Sequence, residues 1–203
     1  MFHLAKGLYT NYNKKPQYSV LLLGLDNAGK TTFLENCKKQ YGQIYKDFDK
    51  ITPTVGQNVA VIQLLDKEHT FLKFWDIGGQ KQLRRLWPSY YSQCHGIIFI
   101  IDSSDKTRLQ ECQETFLNMV ISNSNLEDSG IPILMVANKQ DREDAMEVSD
   151  IKQIFNKIAE HLDASDSRVL PISALTGEGV QDSLDWLVTR LKRNKKTRPP
   201  IYK

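Results

Sequence analysis

The sequence predicts an α/β domain: a six-stranded, mostly parallel sheet with helices on both faces. Three observations carry that expectation. Apolar runs of strand length alternate with segments of helical period along the chain. Two of these runs, Ile97–Ile101 and Ile133–Ala137, show no polar alternation, as parallel strands covered on both faces require. A glycine-containing turn, Gly24 to Gly29, joins the first apolar run to the first helical segment.

In chain order, Tyr18–Leu23 reads as the first strand and Lys30–Lys39 as the first helix. The polar stretch Tyr41–Gly56 reads as a connection, irregular in part. Val59–Leu65 and Phe71–Trp75 flank the short polar stretch Asp66–Thr70 and read as a hairpin, which supplies the one antiparallel strand. Ile97–Asp102 is the next strand, Thr107–Ile121 a helix, and Ile131–Ala137 the strand after it. Ile151, Ile154, Phe155, Ile158 and Leu162 recur at helical spacing, as do Val180, Leu184, Leu187 and Leu191, with the strand Arg168–Ile172 between them. Residues 1–16 form an N-terminal amphipathic helix in this reading, residues 17–193 the domain proper and residues 194–203 a basic tail. The stretch Arg190–Lys203 holds seven Lys or Arg and no acid. It reads either as a solvated helix end and disordered terminus or as an electrostatic assist at an anionic membrane.

Composition excludes several classes. A chain of 203 residues fits one domain, and 40% hydrophobic residues is too apolar for disorder. No apolar run approaches the ~20 residues of a membrane-spanning helix. A net charge of +3 is too mild to argue for nucleic acid. Cys37, Cys94 and Cys112 form no C-x-x-C pair and no zinc spacing, and read as buried thiols in a reducing compartment. No secretory signal is expected from Met1-Phe2-His3-Leu4, so an intracellular, soluble protein is.

The chemistry is concentrated in four short segments. Gly24, Leu25, Asp26, Asn27, Ala28, Gly29, Lys30 and Thr31 match G-x-x-x-x-G-K-[ST], the phosphate-binding loop, directly after a buried strand and opening a helix. Glycine lets consecutive N–H groups point into one concavity, and the helix N-terminus adds positive partial charge. Lys30 would reach the β- and γ-phosphates, the Thr31 hydroxyl would ligate Mg²⁺, and Thr32 continues the nucleotide-binding stretch. Asn138-Lys139-Gln140-Asp141, at the end of another buried strand, identifies the base. A carboxylate at Asp141 can accept from N1–H and the exocyclic amine of guanine, where adenine offers a lone pair and no amine. Sites built on such bonds reject the wrong partner by roughly 10⁴–10⁵. Lys139 would lie along the base, Asn138 would tie this loop to the phosphate loop, and Ser173-Ala174-Leu175 would supply an N–H to the guanine carbonyl. Between the two motifs, Asp76 can hold Mg²⁺ through water and Thr54 can complete the metal shell when a γ-phosphate is present. Gly79 can bring an N–H to that phosphate, and Gln80 can orient the attacking water as the catalytic residue.

These residues carry a resemblance. The chain resembles the Arf family of small GTPases over essentially its whole length. The Asp26 and Ala28 of its phosphate loop and the doubled glycine in Trp75-Asp76-Ile77-Gly78-Gly79-Gln80 are Arf-like rather than Ras-like. There is no room between Thr31 and Thr54 for the inserted domain of a heterotrimeric α subunit. Within the family it is most similar to the Arf-related group, through Met1-Phe2, the run from Tyr91 to Ile98, and Arg198-Pro199-Pro200. The resemblance implies a monomeric switch that binds GTP and GDP with Mg²⁺ and hydrolyses GTP slowly. Its implied partners are an exchange factor, an activating protein and effectors. It also implies cycling between cytoplasm and trans-Golgi membranes in vesicle-mediated protein transport. A nucleotide-locked scaffold without turnover is the competing reading, opposed by the presence of both Thr54 and Gln80. A P-loop phosphotransferase would leave Asn138–Asp141 unexplained.

Two departures from the family pattern stand out. Position 2 is Phe2 rather than glycine, so N-myristoylation is not expected. Of the aromatic trio that grips Arf effectors, Trp75 and Tyr90 are present but Gln57 stands where an aromatic is expected. Met1, Leu4, Ala5, Leu8 and Tyr12 form an apolar helical stripe, and Phe2, Leu4 and Leu8 are the expected contacts with membrane or a membrane-protein receptor. His95 reads as packing rather than a metal ligand. Trp87 and Tyr90–Tyr91 read equally as core or as partner surface.

Overall fold

The computed structural model describes residues 14–122, 130–159 and 167–203. Strand β1 (Pro16–Leu23) lies at the centre of the sheet, and every residue in it is buried. It is parallel to β3 (Phe71–Ile77) on one side and to β4 (Gly96–Asp102) on the other. Beyond β4 follow β5 (Ile133–Asn138) and β6 (Ser167–Pro171), also parallel. β2 (Gln57–Gln63) closes the other edge antiparallel to β3, so the hairpin has the expected form.

Alternate residues of the central strands feed two separate cores. Val20, Leu22, Ile98, Ile100, Leu134 and Val136 face α1 (Lys30–Gln40) and α5 (Val180–Arg193), meeting Phe33, Leu34, Leu184 and Leu187. Leu21, Leu23, Ile97, Phe99 and Met135 face the other way. There they pack with Trp87 beside the short helix α2 (Pro88–Tyr91), Phe116 of α3 (Leu109–Phe116) and Phe155 of α4 (Val148–Ala159). Each large apolar side chain fully buried contributes about 1.5–3 kcal/mol. Four rings form an edge-to-face chain through this second core: Trp87 to Phe99 at 6.4 Å, Phe99 to Phe116 at 4.7 Å and Phe116 to Phe155 at 5.6 Å. Because β1, β3, β5 and β6 all point the same way, the segments following them converge at one end of the sheet.

Three expectations change. The helix expected over Thr107–Ile121 is built in three pieces: a 3₁₀ turn at Lys106–Arg108, α3, and a π-helical stretch at Leu117–Ile121. Asp105 caps its start, accepting from the Arg108 N–H, while its side-chain hydrogen bonds with Thr107 and Arg108 hold its carboxyl at a pKa of about 2. The six-stranded sheet gains a seventh member. β7 (Ile201–Tyr202) runs antiparallel to the start of β1, and Lys15 and Lys203 exchange backbone bonds at 2.8 and 3.0 Å. The basic tail is therefore neither fully solvated nor without structure. His95 helps hold it: its Nδ1 accepts from the Ser19 N–H at 3.0 Å, so Nε2 carries the proton and donates to the Pro199 carbonyl at 3.0 Å. Arg198 Nη1 donates to the Cys94 carbonyl at 2.7 Å.

Other readings are resolved or lie elsewhere. Trp87 and Tyr91 are fully buried, which makes them core, whereas Tyr90 remains partly exposed. Cys37, Cys94 and Cys112 are buried free thiols. The N-terminal stripe, with Met1, Phe2, Leu4 and Leu8, lies outside the described residues, as do Leu162 and the side chains of Ile154 and Ile158.

Candidate functional site

The phosphate loop is shaped by its glycines. Gly29 sits at φ +94°, and a Cβ there would run into Asn138 Nδ2, so only glycine serves. It hands the chain directly to α1, whose first residue is Lys30. The Lys30 side chain is buried and its Nζ donates to the carbonyls of Gly24 at 3.0 Å and Leu25 at 2.7 Å. Burial pulls its pKa down to about 8, against the attraction of Asp76 and Asp26. Leu25 and Ala28 are buried under the loop, while Asp26, Asn27, Gly29, Lys30, Thr31 and Thr32 line a cleft of ≈ 290 Å³.

The opposite wall of that cleft is made of the segments at 51–54 and 79–80. Thr31 Oγ1 donates to Asp76 Oδ2 at 2.7 Å, and Thr54 Oγ1 lies 2.9 Å from Thr31 Oγ1 and 3.3 Å from Asp76 Oδ2. Asp76 is fully buried, and its Oδ1 has no hydrogen-bond partner. Such an orphaned carboxylate oxygen is costly without a partner such as a water or an ion. Asn58, which the sequence reading passed over, stands opposite Asp76 in the β2–β3 ladder and donates to its Oδ2 at 3.3 Å. Gly79 touches the phosphate loop itself: a Cβ would collide with the Gly24 carbonyl and the Leu25–Asp26 backbone. Gln80 lies beside it at the cleft, its Oε1 accepting from Gln82 Nε2 at 3.2 Å.

The segments expected to read the base meet one another through side-chain hydrogen bonds. Asn138 is buried and binds in two directions: Nδ2 donates to the Ala28 carbonyl at 2.7 Å, and Oδ1 accepts from the Ala174 N–H at 2.9 Å. One side chain thus joins the phosphate loop, the end of β5 and the turn after β6. Asp141 Oδ1 accepts from Ser173 Oγ at 2.6 Å, and Lys139 Nζ pairs with Asp102 at 2.6 Å. Asn36 of α1 adds a further tie that periodicity alone did not reveal, donating to the Ala174 carbonyl at 3.0 Å. Its signal in the sequence is a polar residue on the buried face of a helix.

Comparison with known proteins agrees with this geometry. Residues 5–191 match the family described as "ADP-ribosylation factor family". The chain belongs to the Arf family. It is 65% identical over 203 residues to ADP-ribosylation factor-like protein 3 of Saccharomyces cerevisiae, covering all of both chains. It is 45% identical over 202 residues to ADP-ribosylation factor-related protein 1 of Bos taurus, covering 98% of this chain and 97% of that one. Among solved structures it is similar to the Arl6 BBS3 small GTPase of Trypanosoma brucei with bound nucleotide analogue GppNp. That match has a TM-score of 0.72 at 30% identity, covering 87% of this chain and 98% of the other. This Arf-family protein is thus a GTP-hydrolysing switch with the small-GTPase fold.

In this Arf-family chain the expected effector positions lie on the hairpin and the segment after it. Trp75 and Tyr90 are partly exposed with ring centroids 5.3 Å apart, and Lys73 Nζ sits 4.0 Å over the Trp75 ring. Gln57 is exposed two residues before Val59, the partner of Trp75 in the ladder.

Proposed function

We propose that this Arf-family GTPase is a Mg²⁺-dependent switch that cycles onto Golgi membranes and recruits effectors for vesicle-mediated transport. The observation that carries the site reading is the meeting of Thr31, Thr54 and Asp76 beneath the phosphate loop. Hydroxyl oxygens 2.9 Å apart have the spacing of neighbouring ligands around an ion that takes oxygen octahedrally at ~2.0–2.1 Å. The unpartnered Asp76 Oδ1 fits a water of that shell. Thr31 and Thr54 would hold Mg²⁺, which when bound offsets charge on the β- and γ-phosphates.

The protein's own groups do the rest. Lys30 exchanges its two loop carbonyls for phosphate oxygens, and the backbone N–H groups of residues 26–32 cradle the same chain. Gly79 presents its N–H to the γ-phosphate. Gln80 leaves Gln82 and orients a water in line with the phosphorus; the new P–O bond forms as the bond to the β-phosphate oxygen breaks, releasing GDP and phosphate. With no arginine supplied by motif as a finger, an activating protein is expected to raise the rate by ~10³–10⁵. Asp141 and Lys139 read guanine, with the 173–175 turn at its carbonyl.

Asp141→Asn tests the base assignment. Xanthine carries a carbonyl where guanine carries the amine, so the variant should prefer XTP over GTP in competition binding. Unchanged GTP selectivity would remove Asp141 from the base site.

The Golgi reading rests on the resemblance to the Arf-related group. Two segments that carry it, 91–98 and 198–200, are in contact through His95 and Arg198. Membrane attachment is assigned to the N-terminal stripe, exposed when GTP drives the β2–β3 hairpin into its place. At ~0.8 kcal/mol per buried methylene, so short an apolar stripe would by itself bind lipid weakly. A membrane-protein receptor and acetylation of Met1 would both assist. In flotation assays, GTP-loaded protein should bind Golgi membranes better than pure liposomes. The Leu4→Ala/Leu8→Ala double variant should lose that binding, and equal recovery in the GDP and GTP states would refute the released-helix mechanism.

A further inference from the structure

The segment after Gln80 holds a charge that the reaction described above does not use. Arg84 is 7% exposed, and all three guanidinium nitrogens are engaged. Nε donates to the Gly79 carbonyl at 2.8 Å, Nη1 to Thr115 Oγ1 at 3.0 Å, and Nη2 pairs with Glu111 Oε1 at 2.9 Å. The same Nη2 lies 3.8 Å from Asp26 Oδ1 on the phosphate loop. Asp26 is also held by Arg108 at 3.2 Å. Next along the segment, Trp87 Nε1 donates to the Gly78 carbonyl at 3.2 Å. Both carbonyls of the doubled glycine are therefore gripped from behind by the residues that follow them.

In a planar trans peptide the N–H points opposite the carbonyl, so pinning one aims the other. Trp87 fixes the peptide whose N–H belongs to Gly79, and Arg84 fixes the peptide whose N–H belongs to Gln80. A buried guanidinium is tolerated only while its partners stay in place. Arg84 can occupy this position only with Gly79 against the phosphate loop and α3 alongside.

We propose that Arg84 is the positioning residue that locks Gly79 and Gln80 over the γ-phosphate, bracing them against Glu111 and Thr115 of α3 and against Asp26. It touches no phosphate. It acts by making the closed position of residues 78–80 the one in which its charge is satisfied, and so favours the triphosphate over the diphosphate. The inference rests on the assignment of Gly79 to the γ-phosphate.

Affinities of the full-length protein for GppNp and GDP, with Trp fluorescence as a second readout, test it. Arg84→Ala should weaken GppNp binding about 10- to 100-fold, the range for losing hydrogen bonds to a charged group, and change GDP binding by less than about threefold. Arg84→Lys should recover only part, because one ammonium cannot span Gly79 and Glu111 as the planar fork does. Glu111→Gln, on the solvent side of α3, should shift the same ratio in the same direction by less, and the double variant should fall short of the sum. Equal weakening of both nucleotides, or an unchanged ratio in Arg84→Ala and Glu111→Gln alike, would overturn the proposal. A wild-type chain whose fluorescence did not distinguish GppNp from GDP would instead overturn the placement of Gly79 at the γ-phosphate.

Discussion

Lys30 shows how a single side chain carries both the cost and the specificity of this site. Its ammonium is buried against two loop carbonyls, and burial holds its pKa near 8 rather than 10.5. Between those values the unfolded chain binds more protons than the folded one, so the nucleotide-free protein gains stability from this group as pH rises through the window. Binding runs the other way. A phosphate chain favours the ammonium, so nucleotide binding takes up a proton above about pH 8, and affinity should fall by up to about tenfold per pH unit there. Calorimetric titrations of GDP at pH 7 and pH 9.5, in buffers of differing ionisation heat, should show proton uptake only at the higher pH. Uptake that persisted in Lys30→Met would assign it to another group.

Among the elements, β7 and the turn before β4 behave as one latch. The tail is tied by the Lys15–Lys203 bonds, the β1–β7 pairing, His95 to Pro199 and Arg198 to Cys94. At a net ~0.5–1.5 kcal/mol per bond, deleting residues 198–203 should cost about 2–4 kcal/mol. The same deletion should change the pH dependence. Desolvation, aided by Arg198, lowers the His95 pKa in the folded protein, although its bond to Pro199 opposes this. As pH falls below the unfolded value of ~6.5, the unfolded chain therefore takes up the proton first and stability drops. Ser19 and the Tyr18 ring, in a T-shaped contact at 5.6 Å, also face the imidazole. With the tail removed, water reaches the ring and its pKa moves back up. The truncated chain should thus be less stable at pH 7.5 yet lose less on going to pH 5.5. Urea unfolding at both pH values measures this, and parallel losses in the two proteins would show that His95 is not the sensor.

Across the whole molecule the proposed site is a set of turns held at one end of a single sheet, so a guanine nucleotide bound there would link β1, β3, β5 and β6 at once. Saturating ligand at 1,000 times Kd should add ~4 kcal/mol to unfolding. Thermal melts should rise with GDP and GTP and not with ATP, and equal stabilisation by ATP would contradict the base reading. The parts of this arrangement legible in the sequence are those that chemistry confines to consecutive residues. Gly24–Thr31 needs adjacent N–H groups, Asn138–Asp141 needs two side chains on one turn, and the buried strands announce themselves by unbroken apolar runs. Other features depend on residues far apart meeting across the fold. Asn36 meets Ala174 and Arg84 meets Glu111 and Thr115, while His95 meets Pro199; periodicity marks which face of an element is buried but not what lies opposite. The amino-acid sequence by itself determined the GTPase class and the order of the elements, and it marked out the segments proposed to hold phosphate and base, because local backbone geometry and hydrogen-bond chemistry are written in neighbouring residues. Only the tertiary structure decided that the basic tail ends in a two-residue strand, that Trp87 and Tyr91 are core, and that a buried arginine grips the Gly79 carbonyl. Those outcomes are set by which surfaces pack together, a property of contacts between distant segments.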